Sequence, residues 1–534
     1  MLDPTRETGW AGRWLLIACE RQPVTTQVPF IEGEPVTAMA VEERAKLVKS
    51  LRRFDMLFFT ICALVGLDTL GQVSGYGAQT FTWLIVLAVL FVLPYALLMA
   101  ELGSTFTEEG GPYEWMKLSW GRLPAGVGAI LYWVTNPLWV GGTLAFISTE
   151  AWSDNIHRIG TGTFGDYAFK LLFIWVSIGV AVASLKRGKW IPNVGAMVRM
   201  GVLGLFSLTI VLYAFKHGVH GYSLHDFGPS TSVFLGLVPL LLFNYVGFEL
   251  QNGAAEEMVD PQTDVPRSVA TGGLIAVLCY AIPIFGILEV LPRSEISGIA
   301  GFLDAVHTTF SVYGGAQDVL VDLMALGFIF ALITSGSVWM MGSDRVQAVA
   351  AYDGAFLGWF GRFNKYFGTP VRVNVMSGVV STIFMVAAQH LATGSNADTF
   401  TVVLYLATST TLLSYLLIFP TVIKLRYSHP EVHRPYRLPF GMAGVWTAGI
   451  VCTAWMVLGS WVALFPGTIE QALGLSYSIE DSYGVSRLRF ETFTLGTLAV
   501  IVLVAVVGYA LGAPVRNQNA ATAPAEVAST PPAQ

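Results

Sequence analysis

Of the 534 residues, 54% are hydrophobic and 12% are charged, with 30 Lys and Arg against 36 Asp and Glu and a net charge of −6. An ordinary water-soluble domain carries about 25% charged residues, so this composition excludes a soluble globule, and a mean hydropathy of +0.60 points to lipid as the solvent. Four cysteines, Cys19, Cys62, Cys279 and Cys452, form neither a disulfide framework nor a metal cluster, and no cofactor is expected.

Residues 1–50 read as a cytoplasmic N-terminal segment, largely disordered. Trp14-Leu15-Leu16-Ile17-Ala18-Cys19 is too short for the apolar core of a signal peptide, and Glu20-Arg21 interrupts it. Met39 opens a cleaner segment, which leaves Met1 and Met39 as alternative starts. Crossing the hydrocarbon core takes ~20 apolar residues. Twelve stretches qualify, at about 54–77, 82–102, 123–147, 165–185, 191–215, 230–250, 268–290, 319–343, 373–390, 398–423, 440–466 and 492–512. The first eleven fall in a core of residues 51–470. An external loop and the last helix fill 471–512, and the Ala-, Pro-, Thr- and Gln-rich end, 513–534, is expected to be a disordered cytoplasmic tail. With the N-terminus inside, 24 of the 30 Lys and Arg fall on the cytoplasmic side, including the loop Lys186-Arg187-Gly188-Lys189; the external ones are Arg158, Lys170, Lys216, Arg293, Arg487 and Arg489. This asymmetry predicts that both termini are cytoplasmic.

Nine spans have charge-free centres, whereas spans one, five and six carry Asp68, Arg199 and Glu249. Carboxylates inside the membrane are costly and face a cavity or a partner. Asp68 stands in Gly66-Leu67-Asp68 and Glu249 in Gly247-Phe248-Glu249, five spans apart. Glycine loosens a helix locally, and paired breaks in two halves of a chain mark an inverted-repeat transporter with its site near the midplane. Chance recurrence of Gly-x-acid is the alternative in a chain with 55 glycines. For Arg199 two readings stand: a side chain that snorkels to the interface, or a fixed positive charge beneath the break in span one. The sequence has no nucleotide-binding loop, no His-Glu-x-x-His and no Gly-x-Ser-x-Gly elbow, so neither an ATP motor nor an enzyme is expected.

Four loops carry a resemblance. They are Ala100-Glu101-Leu102-Gly103-Ser104 through Gly110-Gly111-Pro112-Tyr113 to Trp120-Gly121-Arg122; Gly247-Phe248-Glu249 with Ala255-Glu256-Glu257-Met258-Val259-Asp260-Pro261; Gly342-Ser343-Asp344-Arg345 with Tyr352-Asp353-Gly354; and Leu425-Arg426 with Arg434-Pro435-Tyr436-Arg437. In this order they resemble the amino acid–polyamine–organocation (APC) superfamily. The resemblance implies an all-α membrane protein of twelve transmembrane helices, built as two five-helix inverted repeats plus two C-terminal helices. It also implies a substrate held between the breaks of helices 1 and 6, by Gly66, Leu67, Asp68, Gly247 and Phe248.

In the family the first break reads Gly-small-Gly, and its free amides hold a substrate carboxylate. Here Asp68 replaces the second glycine. It repels a carboxylate and attracts an ammonium group, unless it is protonated or paired with Arg199. Phe243 matches the aromatic residue that covers the substrate, and Trp339 is a second residue of that kind. Arg199 matches the basic residue of sodium-independent members, and Glu249 matches an acid implicated in coupling. The expected function is secondary active transport of amino acids, amines or polyamines across the plasma (inner) membrane. It is expected to be sodium-independent and either proton-coupled or an exchanger. A polyamine importer and a non-transporting sensor of the same fold are the alternatives. Partners are the small-molecule substrate, protons or a counter-substrate, and the bilayer; no nucleic acid and no metal are expected.

Overall fold

The computed structural model describes residues 37–183, 190–219, 221–223, 225–291, 301–391, 396–480 and 485–522. The loop 186–189, Arg293, the segment 1–36 and the end of the tail, 523–534, lie outside the described residues. Within them the regular secondary structure is helical, and one isolated bridge joins Leu51 and Met258. In order the helices are α1 (Ala38–Arg44), α2 (Arg53–Leu64), α3 (Leu70–Ser74), α4 (Gln79–Thr105), α5 (Gly111–Trp120), α6 (Arg122–Asn155), α7 (Phe164–Ala183), α8 (Trp190–His217) and α9 (Thr231–Tyr245). There follow α10 (Pro261–Val290), α11 (Gly301–Phe310), α12 (Gln317–Tyr352), α13 (Val371–Leu391), α14 (Asn396–Ile418), α15 (Thr421–Ser428), α16 (Gly441–Leu464), α17 (Thr468–Ala472), α18 (Arg487–Leu511) and α19 (Ala513–Thr522).

Among the described residues, eleven helical stretches are long and apolar enough to cross a membrane. The protein is a multi-pass membrane protein. Expected span one is not among the eleven, because it is divided: α2 ends at Leu64, α3 begins at Leu70, and neither half reaches the length a crossing needs. Span six divides in the same way. Helix α9 stops at Tyr245, and the chain resumes as a 3-10 turn over Leu250–Glu257. Both Gly-x-acid sites therefore lie in breaks of the helix.

Small residues let the other helices close on one another, as packing without a hydrophobic drive requires. A Cβ on Gly142 would collide with Val403 of α14, and one on Gly195 would meet Thr334 of α12 at 2.6 Å. Helix α6 carries Pro137 followed by a π-turn over Val140–Leu144. Proline cannot donate to the helical ladder, and the wider turn rotates the side chains around it.

Both ends of the described chain meet on one face, where α1 packs against α19. Thr37, the first described residue, donates its hydroxyl to Tyr352 O at 2.9 Å, and helix extends beyond Ala513 to Thr522. The four loop motifs converge here through ion pairs. Buried Arg345 binds Glu257 at 2.7 Å and Glu109 at 3.2 Å, Arg122 binds Asp353 at 2.9 Å, and Arg44 pairs with Glu256. Glu101 receives both nitrogens of a forked Arg426 contact, at 2.6 and 2.7 Å, and also accepts from Leu438 N. Burial and the neighbouring Glu114 push the Glu108 carboxyl up to about 7.

Candidate substrate site at the helix breaks

A helix that stops at Leu64 leaves its last carbonyls without intrahelical donors, and lipid cannot supply them. Side chains from three other helices do. Arg199 of α8 donates to Cys62 O at 2.8 Å and Val65 O at 2.6 Å, Trp339 Nε1 of α12 donates to Ala63 O at 3.0 Å, and the Tyr280 hydroxyl of α10 donates to Leu64 O at 2.9 Å. Arg199 completes its contacts with Ala331 O and the Thr334 hydroxyl. It is fully buried, so it does not snorkel. Its guanidinium is spent on the carbonyls at the negative end of α2, where a cation is favoured, rather than on Asp68.

Beside this break lies a small cavity lined by Ala63, Leu64, Gly66, Asp68, Thr135, Asn136, Trp139, Phe243, Asn244, Tyr280, Trp339 and Thr411. The break supplies Gly66 and Asp68, α6 supplies Thr135, Asn136 and Trp139, and α9 supplies Phe243 and Asn244. Asp68 is the sole carboxylate among these residues, and no Lys, Arg or His accompanies it. Its Oδ2 accepts from Trp139 Nε1 at 2.9 Å. Its Oδ1 reaches over Gly66, where a Cβ would sit only 2.8 Å away. Glycine at 66 thus leaves room for the carboxylate to turn towards the cavity. Trp139 and Phe243 meet edge-to-face, their ring centroids 6.0 Å apart. Thr69 of the first break donates to Asn244 Oδ1 at 2.9 Å and so ties the two breaks together.

Of the residues singled out from the sequence, Gly66, Asp68, Phe243 and Trp339 meet at this cavity. Leu67, Gly247, Phe248, Arg199 and Glu249 do not line it. Leu67 is buried in the packing behind the break. Gly247 has φ 130°, a backbone conformation that glycine tolerates and other residues rarely adopt. A side chain there would also strike Trp339 Cζ2 at 2.9 Å.

Glu249 is wholly buried in a cage of three tyrosines. Its Oε1 accepts from Tyr132 at 2.7 Å and Tyr415 at 2.6 Å, and its Oε2 accepts from Tyr95. The Tyr95 oxygen in turn accepts from the amides of Gly247 and Phe248, at 2.9 and 3.1 Å, so its proton is directed at Glu249. The carboxylate joins the second break to α4, α6 and α14. Phe248 packs edge-to-face on Tyr95, with centroids 4.9 Å apart.

The profile of the amino acid permease family matches residues 51–475, well over half of the chain. The chain belongs to that family. The permease is therefore a member of the APC superfamily and a transporter of amino acids or amines. It is 28% identical over 393 residues to a probable agmatine/putrescine antiporter of Lactococcus lactis subsp. lactis, a match covering 72% of this chain and 81% of that protein. An uncharacterised transporter of Legionella pneumophila is 28% identical over 423 residues, 77% of this chain and 89% of the relative. A branched-chain amino acid permease of Bacillus subtilis is 22% identical over 457 residues, 82% of this chain and 93% of the relative.

Reading the sequence missed Trp139, Tyr280 and the cage tyrosines. A readable sign existed for the tyrosines. Tyr95, Tyr132, Tyr280 and Tyr415 stand within apolar runs, where a phenol hydroxyl needs a partner.

Proposed function

We propose that the permease exchanges small cationic amines or amino acids across the plasma (inner) membrane, without sodium, with both termini in the cytoplasm. One observation carries this reading: a single carboxylate, Asp68, stands in an otherwise uncharged cavity walled by Trp139, Phe243, Tyr280 and Trp339. A carboxylate repels a substrate carboxylate and attracts an ammonium or guanidinium group, and aromatic faces favour the same cations. The name of the Lactococcus relative, an agmatine/putrescine antiporter, supports a cationic substrate and exchange. The Lys and Arg bias supports a cytoplasmic location for the face that holds α1 and α19.

Arg199 supports sodium independence. Unwound carbonyls at the end of a half-helix are the usual ligands of a coupling sodium ion, and here the Cys62 and Val65 carbonyls already accept from a permanently charged guanidinium. Uptake into proteoliposomes is expected to be unchanged when choline replaces sodium. Loss of uptake in choline would overturn this role for Arg199.

On this reading the tyrosine cage at the second break, which follows Phe243 and Asn244 of the cavity in the chain, closes the inward path. We read Glu249 as the fixed acceptor that latches the second break to α4, α6 and α14. Substrate release inward then requires the latch to part. The competing role, a proton carrier, demands exchange of its proton with water, and burial among three phenols with Glu249 at 0% exposure argues against it.

A further inference from the structure

The Tyr280 hydroxyl does two things at the first break. It donates to Leu64 O at 2.9 Å and accepts from Gly66 N at 2.8 Å. An amide in an unwound segment has no helical acceptor and must find another partner. In this cavity that partner is already a side chain of the protein. We propose that Tyr280 selects amines over the corresponding α-amino acids, by filling the backbone amide that a substrate carboxylate would need. The proposal rests on the reading above, in which Asp68 receives the cationic head.

The geometry gives the reason. Asp68 Oδ1 lies 2.8 Å from the position of a Cβ on Gly66, so an ammonium group paired with it sits against the Gly66 backbone. In an α-amino acid the carboxylate is one carbon from that ammonium and arrives at the same place. It meets an amide that is taken and the negative charge of Asp68. A carboxylate stripped of water with no donor to replace it is heavily penalised. An amine with hydrogen in place of the carboxylate escapes that cost, and keeps its ion pair.

A purely structural role is the alternative, in which Tyr280 only caps the carbonyl end of α2. Agmatine and arginine separate the two roles, because they differ by the carboxylate alone. Tyr280→Phe keeps the ring and frees the Gly66 amide. The ratio of arginine Kd to agmatine Kd, measured by calorimetry on the purified permease, is expected to fall by about tenfold or more, the weight of one hydrogen bond to a charged group. The fall should come mainly from tighter arginine binding. A cap that is only structural weakens both ligands together, and an unchanged ratio would overturn the proposal. Should the Phe variant fail to fold, wild-type protein supplies the test through argininamide, whose carboxyl carries no charge. Argininamide is expected to bind at least about tenfold tighter than arginine, and equal affinity for the two would overturn the proposal. If wild-type permease binds no agmatine, both this proposal and the cation reading fall. Agmatine binding with an unchanged ratio removes only the role of Tyr280.

Discussion

Asp68→Asn is expected to abolish most transport of cationic substrates while leaving the fold intact. The side chain is buried, and one of its oxygens is already fixed by Trp139 Nε1 at 2.9 Å. Asparagine can keep that contact through its carbonyl oxygen, and its amide nitrogen then faces the cavity in place of Oδ1. A donor replaces an acceptor exactly where the ammonium group is received, and the charge is gone. Losing one partner of a desolvated charge pair costs about 2–4 kcal/mol, or roughly 30- to 1000-fold in affinity. Agmatine uptake into proteoliposomes should drop by that factor. Any uptake of a neutral amino acid such as leucine should change by less than about threefold, as for a substitution that breaks no contact of that substrate. Equal losses for both substrates, with normal thermal melting, would show that Asp68 holds the break together rather than the substrate.

The second large effect concerns Glu249→Gln. Three phenol hydroxyls converge on the carboxylate, and Tyr95 is committed as a donor by the two amides that bond to its oxygen. Glutamine offers one oxygen and an NH2 group, so at least one hydroxyl loses its acceptor. Hydrogen bonds to a charged group contribute about 1.5–3 kcal/mol each, enough to shift the latched population by roughly 10- to 150-fold. As a latch, Glu249 predicts that exchange and pH-driven accumulation fall together in the Gln variant, because both need the inward path to close. As a proton carrier it predicts a split: exchange survives, since Gln mimics the protonated acid, and only pH-driven accumulation disappears. Measuring both fluxes in one preparation decides between the roles.

Much of this architecture was legible in the chain, because lipid imposes a simple rule on composition. Long apolar runs announced the spans, and the three charges that violate them, Asp68, Arg199 and Glu249, each proved to lie at or against a helix break. The glycines at 66 and 247 marked the breaks because a side chain at either would collide, with Asp68 in one case and with Trp339 in the other. What hydropathy hides is the partner of each charge. Tyr280 lies 214 positions from Gly66, and Tyr415 lies 166 from Glu249. Their rings read as apolar, and only packing brings the hydroxyls to the break. Leu67 and Phe248 were drawn into the expected site by adjacency in sequence. Unwinding turns successive residues to different sides, so Asp68 faces the cavity and Leu67 does not. The short helices α5 and α11 escaped notice for another reason: ten residues each are too few for a span.

The central claim is that a cationic head binds at Asp68, and calorimetric titration of agmatine into the purified permease in sodium-free buffer tests it most directly. The account predicts saturable binding to the wild-type protein that is weakened roughly 30- to 1000-fold by Asp68→Asn. Binding of equal strength to both proteins, or binding of leucine but not agmatine to the wild type, would contradict it.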